Sequence, residues 1–240
     1  MHKTIIAAAM LALVPSPAWP AAAERAPRHA KAATVAKPRP VAAEPAPPTP
    51  EPERTAAASR IIAWVAAAHD NGGKPYIVID KPSAALYLFN GKGDFLGQTP
   101  VLLGIGVGDD SSPGVGAKSL NDIGPAERTT PAGRFVAKFG RAFGNQRVLW
   151  VDYADSVALH AVITTHKAEQ RVQRLLSPTP DDNRISFGCI NVGTSFYTRK
   201  VRPLFQKGGG IVYILPDTKP LEDVFPRVRL LPYLNAPAAG

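Results

Sequence analysis

The chain has 240 residues, 45% of them hydrophobic, and its 28 Lys and Arg against 19 Asp and Glu give a formal net charge of +9. A single cysteine, Cys189, excludes an intrachain disulfide framework. The basic balance points to anionic partners, whose class depends on where the chain works.

The first element is a targeting signal. Met1-His2-Lys3 is a short cationic start, Thr4 to Val14 is apolar but too short to span a bilayer comfortably, and Ala21-Ala22-Ala23 offers small residues for cleavage. Residues 1–23 therefore read as a removed signal peptide rather than an anchor, because Pro15, Pro17 and Pro20 break the apolar helix early. No cysteine lies there to carry a lipid, and nothing later is apolar for long enough to cross a membrane. The expected location is the periplasm or cell envelope, with no integral membrane span in the mature chain. Residues 24–52 are almost entirely Ala, Pro, Lys, Arg and Glu, which cannot bury enough apolar surface to offset ordering entropy; they read as a disordered, semi-extended tether. Residues 53–73 hold strong helix formers with apolar positions at Ile61, Trp64, Val65 and Ala68, ended by Asn71-Gly72-Gly73: a short amphipathic helix expected to dock on the domain C-terminal to it.

Residues 74–217, on the order of 145 residues, amount to about one domain. Strands are expected at Tyr76–Ile79 and Leu86–Phe89, then, after the Asn90-Gly91-Lys92-Gly93 turn, at Phe95–Gly97. Further strands are expected at 101–107, 134–139, 148–152, 157–162 and 211–215, with helices at Ala168–Leu176 and Thr194–Phe205. The fold class is mainly β, a β-sandwich or barrel-like sheet with a few helices. Residues 218–240 are too short for a second domain and are expected to pack back on the core, with 236–240 loose.

The basic residues are spread between the tether and the surroundings of the cysteine, where Arg171, Arg174, Arg184, Arg199, Lys200 and Arg202 lie. Export and the lack of interleaved stacking aromatics exclude nucleic acid as the expected partner, leaving anionic cell-wall polymer or acidic peptide. Gly114–Ser119 is a poor match to a phosphate loop, since Ala117 stands where a glycine precedes the lysine. His160, His166 and Cys189 lack any zinc-ligand spacing, so neither metal nor cofactor is expected. His69 is placed to cap the first helix.

Cys189 sits in Ser186-Phe187-Gly188-Cys189-Ile190-Asn191, downstream of His160 in an apolar strand. A thiol of ordinary acidity, pKa about 8.5, is only slightly ionised at neutral pH, so nucleophilic use needs a neighbouring base or cation. Strand alternation sets His160 on the face opposite Leu159 and Ala161, free to point toward a cleft. Gly188 permits a tight turn with amides available to a developing oxyanion, and Asn191 offers an amide to orient loop or substrate. Cys189 and His160 make an acyl-transfer pair on this reading; an inert buried cysteine and a packed strand histidine would have the same pattern.

Thr130-Pro131-Ala132-Gly133-Arg134-Phe135, then Leu159-His160-Ala161, then Ser186-Phe187-Gly188-Cys189-Ile190-Asn191 resemble, in order, the signatures of the L,D-transpeptidase catalytic domain (YkuD-like) family, over roughly residues 75–215. The resemblance implies the predominantly β catalytic fold of that family. It also implies a cysteine that attacks the carbonyl after the third residue of a peptidoglycan stem, the acyl-enzyme being resolved by an amine or by water. It makes Cys189 the nucleophile and His160 its base, with the Ala161 carbonyl holding the imidazole and the Gly188 and Cys189 amides forming the oxyanion hole. Ser186 and Asn191 match loop positions that shape the site. The expected partners are stem peptides and, as a possible acceptor, an envelope protein.

Two departures stand out. The family usually has histidine where this chain has Phe187, and a hydrocarbon ring neither donates nor accepts a proton. The interval from His160 to Ser186 is long and includes His166 and the helix-like 168–176, a lid, a substrate wall or inert decoration. Phe187 and Arg184 are candidate substrate-wall residues. The leading expectation is a cysteine transpeptidase of cell-wall biogenesis. Hydrolysis on the same scaffold, as an L,D-carboxypeptidase or amidase, is the first alternative, and a catalytically impaired peptidoglycan-binding module the second.

Overall fold

The computed structural model describes residues 53–234; the expected signal peptide, the tether and the last six residues lie outside them. Helix α1 (Ala56–Ala68) is capped by Thr55, whose hydroxyl accepts from the Ala58 N–H and donates to Asp80. His69 ends it in the left-handed region, φ 51°, with its carbonyl accepting from Gly72.

Strands β1 (Tyr76–Asp80), β2 (Ala85–Phe89), β3 (Phe95–Gly104), β4 (Gly133–Arg141), β5 (Arg147–Asp152), β6 (Val157–Ala161), β8 (Ile190–Val192) and β9 (Gly210–Ile214) form a closed eight-stranded barrel in the order β2-β1-β9-β4-β5-β6-β8-β3, sealed by β2–β3 pairing; β7 (Arg184–Ser186) adds to the end of β3. The two short strands expected at 95–97 and 101–107 are one. β3 pairs with β2 through Phe95–Pro100, then with β8 through Val101 and Leu102, so a single long strand passes from one side of the closure to the other. β7 and β8 have no counterpart among the strands expected from sequence, because three residues are too few to show a period of two.

Period-two alternation separates two cores. Ile77, Ile79, Leu86, Leu88, Val212 and Ile214 turn inward with Leu149, Leu159, Ile190 and Val192. Their neighbours Tyr76, Val78, Tyr87, Phe89, Ile211 and Tyr213 turn outward and are covered by Ile61, Trp64 and Val65 of α1, together with Leu221, Phe225 and Val228 of the C-terminal segment. That is why β1, β2 and β9 are buried along both faces and read as continuous apolar runs. The tail adds α5 (Leu221–Val224) and α6 (Leu231–Leu234).

The helix expected over 194–205 is present with a defect. It runs as α3 (Thr194–Phe196), a wide π turn (Tyr197–Val201) and α4 (Arg202–Phe205), and Pro203, which has no N–H to continue the α-helical ladder, lies just past that turn. Tyr197, Val201 and Phe205 join the interior core. The expected helix over 168–176 is shorter: a single 3₁₀ turn, Lys167–Glu169, leads into α2 (Arg171–Leu175). Among the described residues no helix is long and apolar enough to cross a membrane.

Candidate active site

The parallel pairing of β6 with β8 sets the register of the site. Leu159 lies opposite Ile190 and His160 opposite Asn191, so where Leu159 and Ile190 face the core, His160 and Asn191 share the other face. Cys189 directly precedes β8, and its Sγ donates to the Ser156 carbonyl at 3.7 Å, at the turn into β6. The expected cysteine and histidine therefore lie on the same face of the β6–β8 pair, the thiol bonded to Ser156 and the imidazole to Ala161 and Asn191.

The loop between β7 and β8 is held by its own residues. The Ser186 hydroxyl accepts from the Gly188 N–H at 3.1 Å and donates to the Cys189 carbonyl at 2.6 Å. Gly188 adopts φ +117°, and a Cβ there would come within 2.8 Å of the Thr129 carbonyl, so glycine is required twice over. The Gly188 N–H, expected to serve an oxyanion together with that of Cys189, is hydrogen-bonded to the Ser186 hydroxyl.

A second layer fixes the loop from below. Thr130, fully buried, donates its hydroxyl to the Gly188 carbonyl at 2.9 Å and accepts from the Gly104 N–H at 2.9 Å. The Thr130 carbonyl in turn accepts from Lys81 Nζ at 2.9 Å. Lys81, 1% exposed at the end of β1, also donates to the Gly108 carbonyl and to Asp109, and lies 3.3 Å from Asp217. Burial alone would raise the Asp109 pKa, but the Lys81 ammonium and the backbone amides of Asp217, Lys219 and Thr218 outweigh it and hold the carboxyl well below its usual range. Arg184 completes this cluster through a bidentate pair with Asp217, 2.6 and 3.0 Å. Arg184, expected as a candidate substrate-wall residue, is thus tied at the entrance of β7 to a buried carboxylate.

Phe187 is half-buried, and the Arg128 guanidinium lies over its ring at 3.8 Å from the centroid, oriented by a hydrogen bond from Nε to the Ile123 carbonyl. The ring expected as a candidate substrate wall thus carries a cation on its face.

His160 is 7% exposed. Nδ1 lies 2.8 Å from the Ala161 carbonyl, which can only accept, so Nδ1 carries the proton. Nε2 lies 3.2 Å from the Asn191 side-chain nitrogen. The Asn191 oxygen accepts from Arg171 Nη1 at 2.9 Å, and Arg171 is itself held by Glu169 at 2.6 Å. The segment between His160 and Ser186 therefore reaches Asn191 through Arg171. Burial pushes the imidazole pKa down, opposed by the Ala161 carbonyl and reinforced by Arg171. Burial pushes the Cys189 thiol up, opposed by a backbone hydrogen bond from Ala158 and by Arg171. Each direction favours the uncharged form of its own group.

Sequence reasoning missed Lys81, Asp109 and Asp217, which act across long stretches of chain and have no local signal. Thr130 was visible as the first residue of the Thr-Pro-x-Gly run and Arg171 as one of the basic residues around the cysteine, but not the bonds they make. Gly114–Ser119 forms a 3₁₀ turn at Val115–Ala117 rather than a phosphate cradle. Among the described residues no group of three or more His, Cys, Asp or Glu side chains is placed to hold a metal. No protein-family model matches the chain, and no curated protein matches it.

Proposed function

We propose that this protein is an exported cysteine acyl-transferase that acts on peptidoglycan stem peptides, an L,D-transpeptidase of the YkuD-like kind. The observation that carries the reading is the joint placement of Cys189, His160 and the Ser186–Gly188 turn around one strand pair, at two of the three motifs that resemble that family, with Thr130 of the third bonded to the Gly188 carbonyl. In the reaction the Sγ proton passes to His160 Nε2, and the thiolate attacks the carbonyl carbon after the third stem residue. The oxyanion forms near the Cys189 N–H. The imidazolium returns its proton to the departing amine of the fourth residue, leaving a thioester. An acceptor amine, from a second stem or an envelope protein, then forms the new amide and releases the thiol. At rest Nε2 accepts from Asn191 and the thiol donates to Ser156, so substrate entry must redirect both before the proton moves.

Incubation of the full chain with a tetrapeptide stem and an amine acceptor tests the reading. Transfer predicts a cross-linked product and loss of the fourth residue; both must vanish in Cys189→Ala. A tripeptide product alone would identify the hydrolase instead. The non-catalytic binding module has one observation in its favour, the commitment of the Gly188 N–H to Ser186, and it predicts saturable stem binding with no product in wild type or variant.

A further inference from the structure

The segment from His160 to Ser186 sends one side chain into the site, and the donor and acceptor inventory of the contacts fixes what it does there. A guanidinium has only donors, so the Asn191 atom facing Arg171 Nη1 must be the amide oxygen. The amide NH2 then faces His160, and since it too only donates, Nε2 must present its lone pair. The ring proton is left on Nδ1, where the Ala161 carbonyl receives it. The chain Arg171–Asn191–His160–Ala161 is self-consistent in this one arrangement. An imidazolium would set an Nε2–H against the Asn191 N–H, and the amide cannot turn over to receive it without setting NH2 against the guanidinium.

We propose that Arg171 is a positioning residue for His160, fixing it, through the Asn191 amide, as the uncharged Nδ1–H tautomer, so that Nε2 keeps a lone pair for the thiol proton once substrate displaces the Asn191 N–H. The proposal rests on the acyl-transfer reading for its purpose, though the lock itself is a property of the ground state. The charged group that acts on His160 is Arg171 of α2, with its partner Glu169 from the 3₁₀ turn; Cys189 of the β7–β8 loop lies on the same sheet face and is likewise acted on by Arg171. β8 contributes the Asn191 amide, and on β5, which pairs with β6 on its other edge, the Asp152 carboxylate is tied to the Ala154 and Asp155 amides. Arg171 acts in the same direction by geometry and by charge, since each penalises the imidazolium.

The test is a pH titration of the ¹⁵N-labelled His160 ring by NMR, run on wild type, Arg171→Met, Arg171→Lys and Arg174→Gln. Arg174 is the control: it lies on the same helix and bonds the Glu169 and Asp182 carbonyls, but does not touch Asn191. Wild type should show the Nδ1–H tautomer. Arg171→Met should titrate at higher pH and mix tautomers, Arg171→Lys should return toward wild type, and Arg174→Gln should match it. In parallel, carbapenem acylation at mildly acidic pH should fall by roughly tenfold in Arg171→Met, less than the ~10²-fold or more that a general base itself supplies, because the base remains in place. An Nε2–H tautomer in wild type overturns the proposal without any variant, as does an unchanged titration in Arg171→Met or an equal shift in Arg174→Gln. A failure of all variants and wild type to acylate, with the titration shifts present, would count against the acyl-transfer reading and leave the lock intact.

Discussion

At the residue scale the site depends on small polar side chains that each satisfy two backbone groups. Thr130 is the clearest case, since its hydroxyl serves the Gly104 N–H and the Gly188 carbonyl, both inside the protein. Thr130→Val keeps the shape and removes both partners, leaving a donor and an acceptor unsatisfied. The expected cost is roughly 2–4 kcal/mol of stability by denaturant unfolding, with loss of acylation exceeding the loss of folded protein because the turn carrying Cys189 loses its support. The sequence made Cys189, His160, Gly188, Ser186 and Asn191 visible because they cluster in two short motifs. It could not show that the Gly188 N–H would be claimed by Ser186 two residues earlier, nor that Arg184 would be neutralised by Asp217 33 residues later.

At the element scale α1 is part of the folded unit. The outward faces of β1, β2 and β9 carry Tyr76, Tyr87, Phe89 and Tyr213, with Tyr76 stacked on its cross-strand partner Phe89 at 4.6 Å, and α1 sets Trp64 among that apolar cluster. Trp64→Ala is expected to destabilise by about 3–5 kcal/mol and to expose the outer core while leaving the barrel interior packed. A dye that binds exposed apolar surface, read beside the unfolding midpoint, checks both halves. The helix was legible from Ile61, Trp64 and Val65 at helical spacing, and the strands from alternation or apolar runs. Closure of the sheet was not, because it depends on one ten-residue strand, β3, pairing on both sides of the gap. No local pattern distinguishes that strand from two short ones separated by a turn.

At the scale of the whole molecule the buried ionic cluster ties distant segments together: Lys81 after β1, Asp109 and Thr130 at the two ends of the β3–β4 connection, Arg184 at the start of β7, and Asp217 after β9. The Asp109 pKa is depressed in the folded state, so its stabilisation is complete above its ordinary value of 3.8 and is lost as pH falls toward the folded-state value. Asp109→Asn should therefore cost about 3–5 kcal/mol at neutral pH by leaving Lys81 under-compensated, and should flatten the acid-unfolding curve below the ordinary carboxylate range. An equal pH dependence in the variant and wild type would place the acid sensitivity elsewhere.

The most direct measurement on the central claim is intact-mass spectrometry of the full chain after exposure to a carbapenem, with Cys189→Ala and His160→Ala alongside. A cysteine nucleophile served by a histidine base predicts a single covalent adduct on wild type, none on Cys189→Ala, and slow formation on His160→Ala. An adduct that persists in Cys189→Ala, or one that forms at the wild-type rate without His160, would contradict it.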